Sequence, residues 1–186
     1  MTKAFFVVFL LFSQFPSSFL NVKSFKVDFV QTTQSPFFPK IEDKGFLVVD
    51  GCKFRFEYTT NEKRITIGDC KKIYQINKDD NSTITLSYEK VKANPFLSLL
   101  LDRTQLKKNF LIQKVEGKKH YYRLIPKVKT EDMPFTVLKV RLNKKEDKIL
   151  MLEIIDETEQ RTVYEFSNYI PGYKPDSSLF QLEAVK

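Results

Sequence analysis

One histidine, two cysteines, no tryptophan and five glycines leave the 186-residue chain short of the side chains from which most active sites are built. A structural zinc takes about four Cys or His ligands, and the chain holds three in all. A histidine-based catalytic centre would rest on His120 alone. That residue stands in Lys118-Lys119-His120-Tyr121-Tyr122 with no Ser, Cys or acid at motif spacing, and reads as a surface histidine at a strand end. Glycine is too scarce for phosphate-cradling loops, and neither G-x-G-x-x-G nor G-x-x-x-x-G-K-[ST] occurs. With no set of nucleophile, base and orienting group, the chain reads as a non-enzyme that uses no cofactor and no metal. What it does have is phenylalanine, 18 residues of it, within a hydrophobic fraction of 42% and under a net charge of +8. That fraction excludes low-complexity disorder.

The N-terminus has the order of an export signal. Lys3 supplies a positive start, Ala4 to Phe12 is an unbroken apolar run, and Ser13, Ser17 and Ser18 follow. The run is too short to span a bilayer, and no later stretch approaches the roughly 18 apolar residues such a span needs. The expectation is a signal peptide over residues 1–18 cut near Ser18, leaving residues 19–186 as a single exported domain. The alternative is a buried N-terminal helix. Cleavage would remove Lys3, taking the charge from +8 to +7, together with five of the 18 phenylalanines.

Beyond the signal the patterning is mostly that of strands. Phe25, Val27 and Phe29 alternate with Lys26 and Asp28. Gln34 to Lys44, with Pro36 and Pro39, reads as a loop, and Gly45 to Tyr58 as one long strand. Further strands are expected at Lys63–Ile67, Lys72–Ile76, Ile84–Tyr88, Tyr121–Ile125, Phe135–Leu142, Lys148–Ile155 and Arg161–Ser167. Polar turns separate them, and the short links among the last three indicate antiparallel hairpins. In the middle, Asn94-Pro95 is a helix start, with Phe96, Leu99 and Leu100 at helical spacing. Asp102 to Gln105 fits a capping box for a second short helix carrying Leu106 and Phe110. The total is one domain of roughly eight to eleven strands with a small helical insert. Lys148–Ile155 is apolar on both faces, which fits a strand that packs on one side and lines a cavity on the other, or a central strand of an ordinary sandwich.

An ordered set of residues resembles the LolA family, periplasmic carriers of outer-membrane lipoproteins. It comprises Phe25-x-x-x-Phe29-x-Gln31, Gly45-Phe46-Leu47, Phe54-Arg55-Phe56-Glu57-Tyr58, Ile65 to Asp69, and Asn94-Pro95 with Leu99-Leu100. Ile154-x-Asp156, Thr162, Phe166-Ser167-Asn168 and Phe180 follow in the C-terminal half. The chain departs from the family pattern at Phe56 and Ile73, where the family has Trp, and at Asp50-Gly51-Cys52, which replaces a Pro.

The resemblance implies a mainly β, α+β fold: an incomplete antiparallel β-barrel with short helices forming a lid over a hydrophobic cavity. It implies a monomeric carrier that binds lipoprotein acyl chains released by an inner-membrane ABC transporter of the LolCDE type. Delivery would be to an outer-membrane acceptor, LolB-like where one exists. Nucleic acid is not an expected partner. On the same resemblance Arg55 bonds lid backbone and holds the closed state, Phe96, Leu99 and Leu100 form the lid face, and Phe46, Phe54, Phe56, Leu152 and Ile154 belong to the lipid-binding and gating set. Two alternatives stand beside this reading. One is an RseB-like envelope-stress sensor of lipoproteins; the other is a basic module binding polyanions or nucleic acid.

Cys52 and Cys70 are the only cysteines. In an exported protein they can form a disulfide, and hairpin symmetry about Asn61 sets them opposite each other; two free thiols are the alternative. Matching apolar residues instead pairs Phe54 with Ile67 and Phe56 with Ile65, one residue out of register, which a bulge near Gly51 or Gly68 would reconcile.

Overall fold

The computed structural model describes residues 15–182, apart from residues 21, 62, 90–94, 102, 104–105 and 128–134. Most of the signal segment, Asn94 and most of the Asp102–Gln105 capping box therefore lie outside the described residues. Eleven strands are present: β1 (Ser24–Gln34), β2 (Ile41–Asp50), β3 (Lys53–Tyr58), β4 (Arg64–Asp69), β5 (Lys72–Asn77), β6 (Ser82–Ser87), β7 (Phe110–Lys114), β8 (Tyr121–Pro126), β9 (Phe135–Leu142), β10 (Ile149–Asp156) and β11 (Arg161–Pro171). Their order in one sheet is β6-β5-β4-β3-β2-β1-β11-β10-β9-β8-β7. All pairings are antiparallel, and β6 and β7 are left as edges, so the sheet curls without closing: a mainly β, incomplete barrel. Among the described residues three short helices accompany it, α1 (Ser17–Leu20), α2 (Pro95–Leu101) and α3 (Leu106–Asn109), with a 3-10 turn at Ser177–Phe180.

Several boundaries differ from the sequence reading. The loop expected over Gln34–Lys44 shrinks to residues 35–40, because Ile41 to Asp43 pair with Gln31 to Thr33 and β2 begins at Ile41, and β11 runs on to Pro171. The stretch Gly45 to Tyr58 is two strands, because Gly51 at φ +61° reverses the chain there. Phe110 opens β7 instead of riding on the second helix, which stops at Asn109.

Side-chain alternation divides the molecule into two apolar compartments. One face of the sheet carries Phe25, Val27, Phe29, Leu47, Val49, Phe54, Phe56, Leu152, Tyr164 and Phe166 in a single large cluster, onto which α2 lays Leu99 and Leu100. We call this the inner face. The other face holds a smaller cluster, Val48, Ile65, Ile67 and Ile76, covered by Phe180 of the C-terminal turn. This second cluster explains the register of β3 and β4. Arg55 stands opposite Ile67 and Glu57 opposite Ile65, while Phe54 faces Gly68. Matching Phe54 with Ile67 and Phe56 with Ile65 is therefore not what occurs, because the two isoleucines have an apolar partner of their own on the outer face. The hairpin keeps its symmetry about Asn61 without a bulge, and Cys52 and Cys70 are joined by a disulfide with a Cα–Cα distance of 5.1 Å.

Two glycines let aromatic rings lie against the sheet. A Cβ at Gly45 would come within 2.1 Å of the Glu57 carbonyl oxygen and 2.5 Å of the Phe29 ring, and one at Gly68 within 2.1 Å of the Phe54 ring. Over Gly45, Phe29 stacks on Phe56 at 4.6 Å between centroids, an offset arrangement favourable beyond its burial. On β10, a register shift between Ile149 and Met151 turns Ile149 to the inner face alongside Leu152. The strand's apolar residues thus divide as Ile149, Leu152 and Ile154 inside and Met151 outside.

Candidate functional site

The inner face under α2 is the candidate site. Leu99 and Leu100 project from a helix of seven residues, too short to be stable by itself, so its position depends on what those leucines touch. Beneath it Phe25, Val27, Leu100, Arg103, Ile149, Phe166 and Tyr169 line a cavity of about 10 Å³, room for roughly one water. Among the described residues that space is small. A larger guest needs α2 to lift or side chains to turn.

One polar side chain reaches into this apolar region. Arg103, just past α2, is 5% exposed and donates from Nη1 to the Phe19 carbonyl at 2.7 Å. Its guanidinium also lies over the rings of Phe19 and Phe25, at 3.9 and 5.3 Å from their centroids. It has no carboxylate partner among the described residues, and Nε has no hydrogen-bond acceptor. The Tyr169 hydroxyl faces it without a well-formed bond and is itself unsatisfied. Burial lowers the Arg103 guanidinium from its usual value, and the facing tyrosine opposes that shift.

Arg103 thereby ties the end of α2 to the N-terminal segment. That segment is itself inside the core. Phe15 and Phe19 are fully enclosed, Phe15 packs its ring 4.9 Å from Tyr122, and Ser18 Oγ donates to the carbonyls of Lys145 and Glu146. Glu146 is in turn held by the Tyr122 hydroxyl at 2.7 Å and lies 2.8 Å from His120 Nδ1. Burial alone would raise the Glu146 carboxyl, but the bonds from His120 and Tyr122 outweigh it and leave its pKa lowered.

The structure brings together Phe54, Phe56, Leu99, Leu100, Leu152 and Ile154 on the inner face. It places Phe46 and Arg55 on the other side. Phe46 packs against the outer cluster, with Lys26 Nζ 5.5 Å above its ring. Arg55 donates from Nε and Nη2 to Glu57 Oε2 at 2.8 and 2.7 Å, and from Nη1 to the Leu179 carbonyl at 3.2 Å. Its backbone partner is thus the C-terminal turn. Phe96 is a backbone position of α2 whose side chain lies outside the described residues. Sequence reasoning missed Arg103 and Tyr169, while the buried Phe15 and Phe19 at α1 fit the alternative of a buried N-terminal helix. The signal for Arg103 was an arginine two residues after the run Leu99-Leu100-Leu101, here read as part of a cap.

Among the described residues, no group of His, Cys, Asp and Glu could hold a metal ion, and no helix is long and apolar enough to cross a membrane.

Comparison with known proteins agrees with this architecture. A protein from Thermus thermophilus, described as an uncharacterized conserved protein, superposes with a TM-score of 0.54 at 9% identity, over 87% of this chain and 86% of that one. A DUF1329 family protein from Desulfovibrio piger superposes with a TM-score of 0.51 at 8% identity, over 89% and 92%. At such identities the likeness is one of fold. In sequence, an outer-membrane lipoprotein carrier protein from Xanthomonas campestris pv. campestris is 27% identical over 120 residues, which is 63% of this chain and 56% of the relative. The chain thus matches little more than half the length of that relative. The family model "Outer membrane lipoprotein carrier protein LolA" matches residues 20–183, so the chain belongs to the LolA family.

Proposed function

We propose that the protein carries the acyl chains of lipoproteins through the periplasm by sequestration, with no chemical step. The observation that carries this reading is an apolar inner face covered by the short helix α2, with little space left between them among the described residues. An acyl chain in water is disfavoured by about 0.8 kcal/mol per CH₂. A carrier must offer apolar surface to that chain and hide the surface from water between loads. Phe25, Val27, Leu100, Ile149 and Phe166 do so without needing hydrogen-bond partners, and Leu99 and Leu100 form the movable cover.

In this reading Arg103 is the latch, since its bond to the Phe19 carbonyl must break or move when α2 lifts. Phe54, Phe56, Leu152 and Ile154 form the wall that receives the acyl chain. Arg55 acts at a distance, by holding β3 flat against the C-terminal turn. Cargo is received from an inner-membrane ABC transporter of the LolCDE type and delivered to an outer-membrane acceptor.

The test is release of a radiolabelled lipoprotein from spheroplasts. The purified protein is expected to bring the lipoprotein into the soluble fraction as a complex containing one copy of each. Cargo that stays with the membrane at every protein concentration overturns the proposal.

A further inference from the structure

The turn between β1 and β2 leaves Phe37 78% and Phe38 69% exposed, and Ile41 at the start of β2 is 50% exposed. Five large hydrophobic side chains are exposed among the described residues, and three of them fall within these five positions. Exposed apolar residues on soluble proteins are usually scattered, and a contiguous group marks a contact surface.

The form of the turn narrows the kind of contact. Pro36 and Pro39 flank the pair, so both lack an N–H. The one hydrogen bond of the turn among the described residues is local, from the Phe37 N–H to Ser35 Oγ at 3.2 Å. Two adjacent rings at the end of a hairpin make an apolar protrusion, with exposed Gln34, Lys40 and Glu42 at its base. Charge gives a second indication. Lys40 lies two residues beyond the pair, and the whole chain is +8, which suits a surface of anionic headgroups.

We infer that the Phe37–Phe38 turn dips into the headgroup region of a bilayer containing anionic lipid and docks the protein there. The inference goes beyond the carrier reading and does not depend on it, since it rests on the exposure of the turn and concerns empty protein. Docking is shallow and reversible, because two rings on one turn supply far less apolar area than an amphipathic helix.

The absence of tryptophan from the chain supplies the test. Phe38→Trp places a single tryptophan in an otherwise intact protein, excited selectively at wavelengths beyond tyrosine absorption. Added vesicles of phosphatidylethanolamine and phosphatidylglycerol should shift its emission to the blue, and brominated acyl chains should quench it. In parallel, Phe37→Ser with Phe38→Ser should lower co-sedimentation with the same vesicles by about tenfold or more, with no change in thermal midpoint. Emission that ignores vesicles, or a double variant that sediments as the parent does, overturns the inference. So does emission that shifts only when a protein acceptor is added without lipid.

Discussion

Arg103 and Phe19 are joined twice, by a hydrogen bond of 2.7 Å from Nη1 to the Phe19 carbonyl and by a guanidinium 3.9 Å from the Phe19 ring. Among the described residues the cation is buried without an acid, and a charged hydrogen bond and ring contacts offset its burial. Arg103→Met should therefore leave global stability within about 1 kcal/mol of the parent, because losing the bond is balanced by removing a desolvated charge. What it should change is local. Hydrogen exchange at residues 17–20 should accelerate about tenfold, matching the loss of a hydrogen bond worth roughly 1.5 kcal/mol. Unchanged exchange there would show that Arg103 is not what holds the segment.

The Cys52–Cys70 bridge closes a loop of 18 residues' separation across the β3–β4 hairpin. Chain-entropy arithmetic for a loop of that size gives about 3 kcal/mol. Replacing both cysteines by alanine, or adding reductant, should lower the free energy of unfolding by about that amount in urea titration. The inner face should remain intact, since both cysteines lie in turns at its margin.

Acid should weaken the contacts of Glu146 with His120 and Tyr122. The folded pKa of Glu146 lies below its ordinary 4.5, so its stabilising effect is complete above about that pH and fades as pH falls through the lower folded value. Glu153 behaves likewise: burial raises it, but bonds from Arg161 and Lys139 outweigh that and lower it. Stability should thus be flat on this account from neutrality to about pH 4.5 and fall below it. Glu146→Gln should weaken the acid limb of a melting-temperature profile, and an unaltered limb would remove Glu146 from the explanation.

Gly45→Ala should be damaging out of proportion to its size. The new Cβ would sit 2.1 Å from a backbone carbonyl, that of Glu57, which cannot turn away as a side chain could. A loss of roughly 2–3 kcal/mol is expected, at the upper part of the overpacking range. Gly117→Ala meets nothing within 4 Å and bears only the strain of φ +71°, so about 1 kcal/mol is expected. Equal losses from the two would show that the close approach at Gly45 is relieved elsewhere.

The strand pattern was legible in the sequence wherever one face was apolar and the other polar, as at Phe25, Val27 and Phe29. It misled where both faces are covered. Ile65 and Ile67 look like partners for Phe54 and Phe56, and only the distant Phe180, on a turn more than a hundred residues away, reveals that they serve the other face. The same blindness hides Arg103, because nothing near it in sequence announces that Phe19 will stand over it. The turn at Gly51 was marked by its residue type, yet it sits within an apolar stretch that reads as continuous strand. The family motifs place Phe54 and Leu99 on one surface, as the fold does. They set Arg55 against lid backbone, whereas its partners Glu57 and Leu179 are set by the pleat and by the C-terminal turn.

That pleat in β3 acts as a partition. Phe54, Phe56 and Tyr58 belong to the compartment that must yield to a guest, while Arg55 and Glu57 belong to the one that is clamped. A wall built this way can change what it touches on one side without rearranging the other. It also separates the lesions that could stop the protein: damage to Arg55 or the C-terminal turn should act as a loss of rigidity, and damage to Leu99 or Leu100 as a loss of closure. The two classes should be separable genetically, because a second-site change that restores one has no route to repair the other.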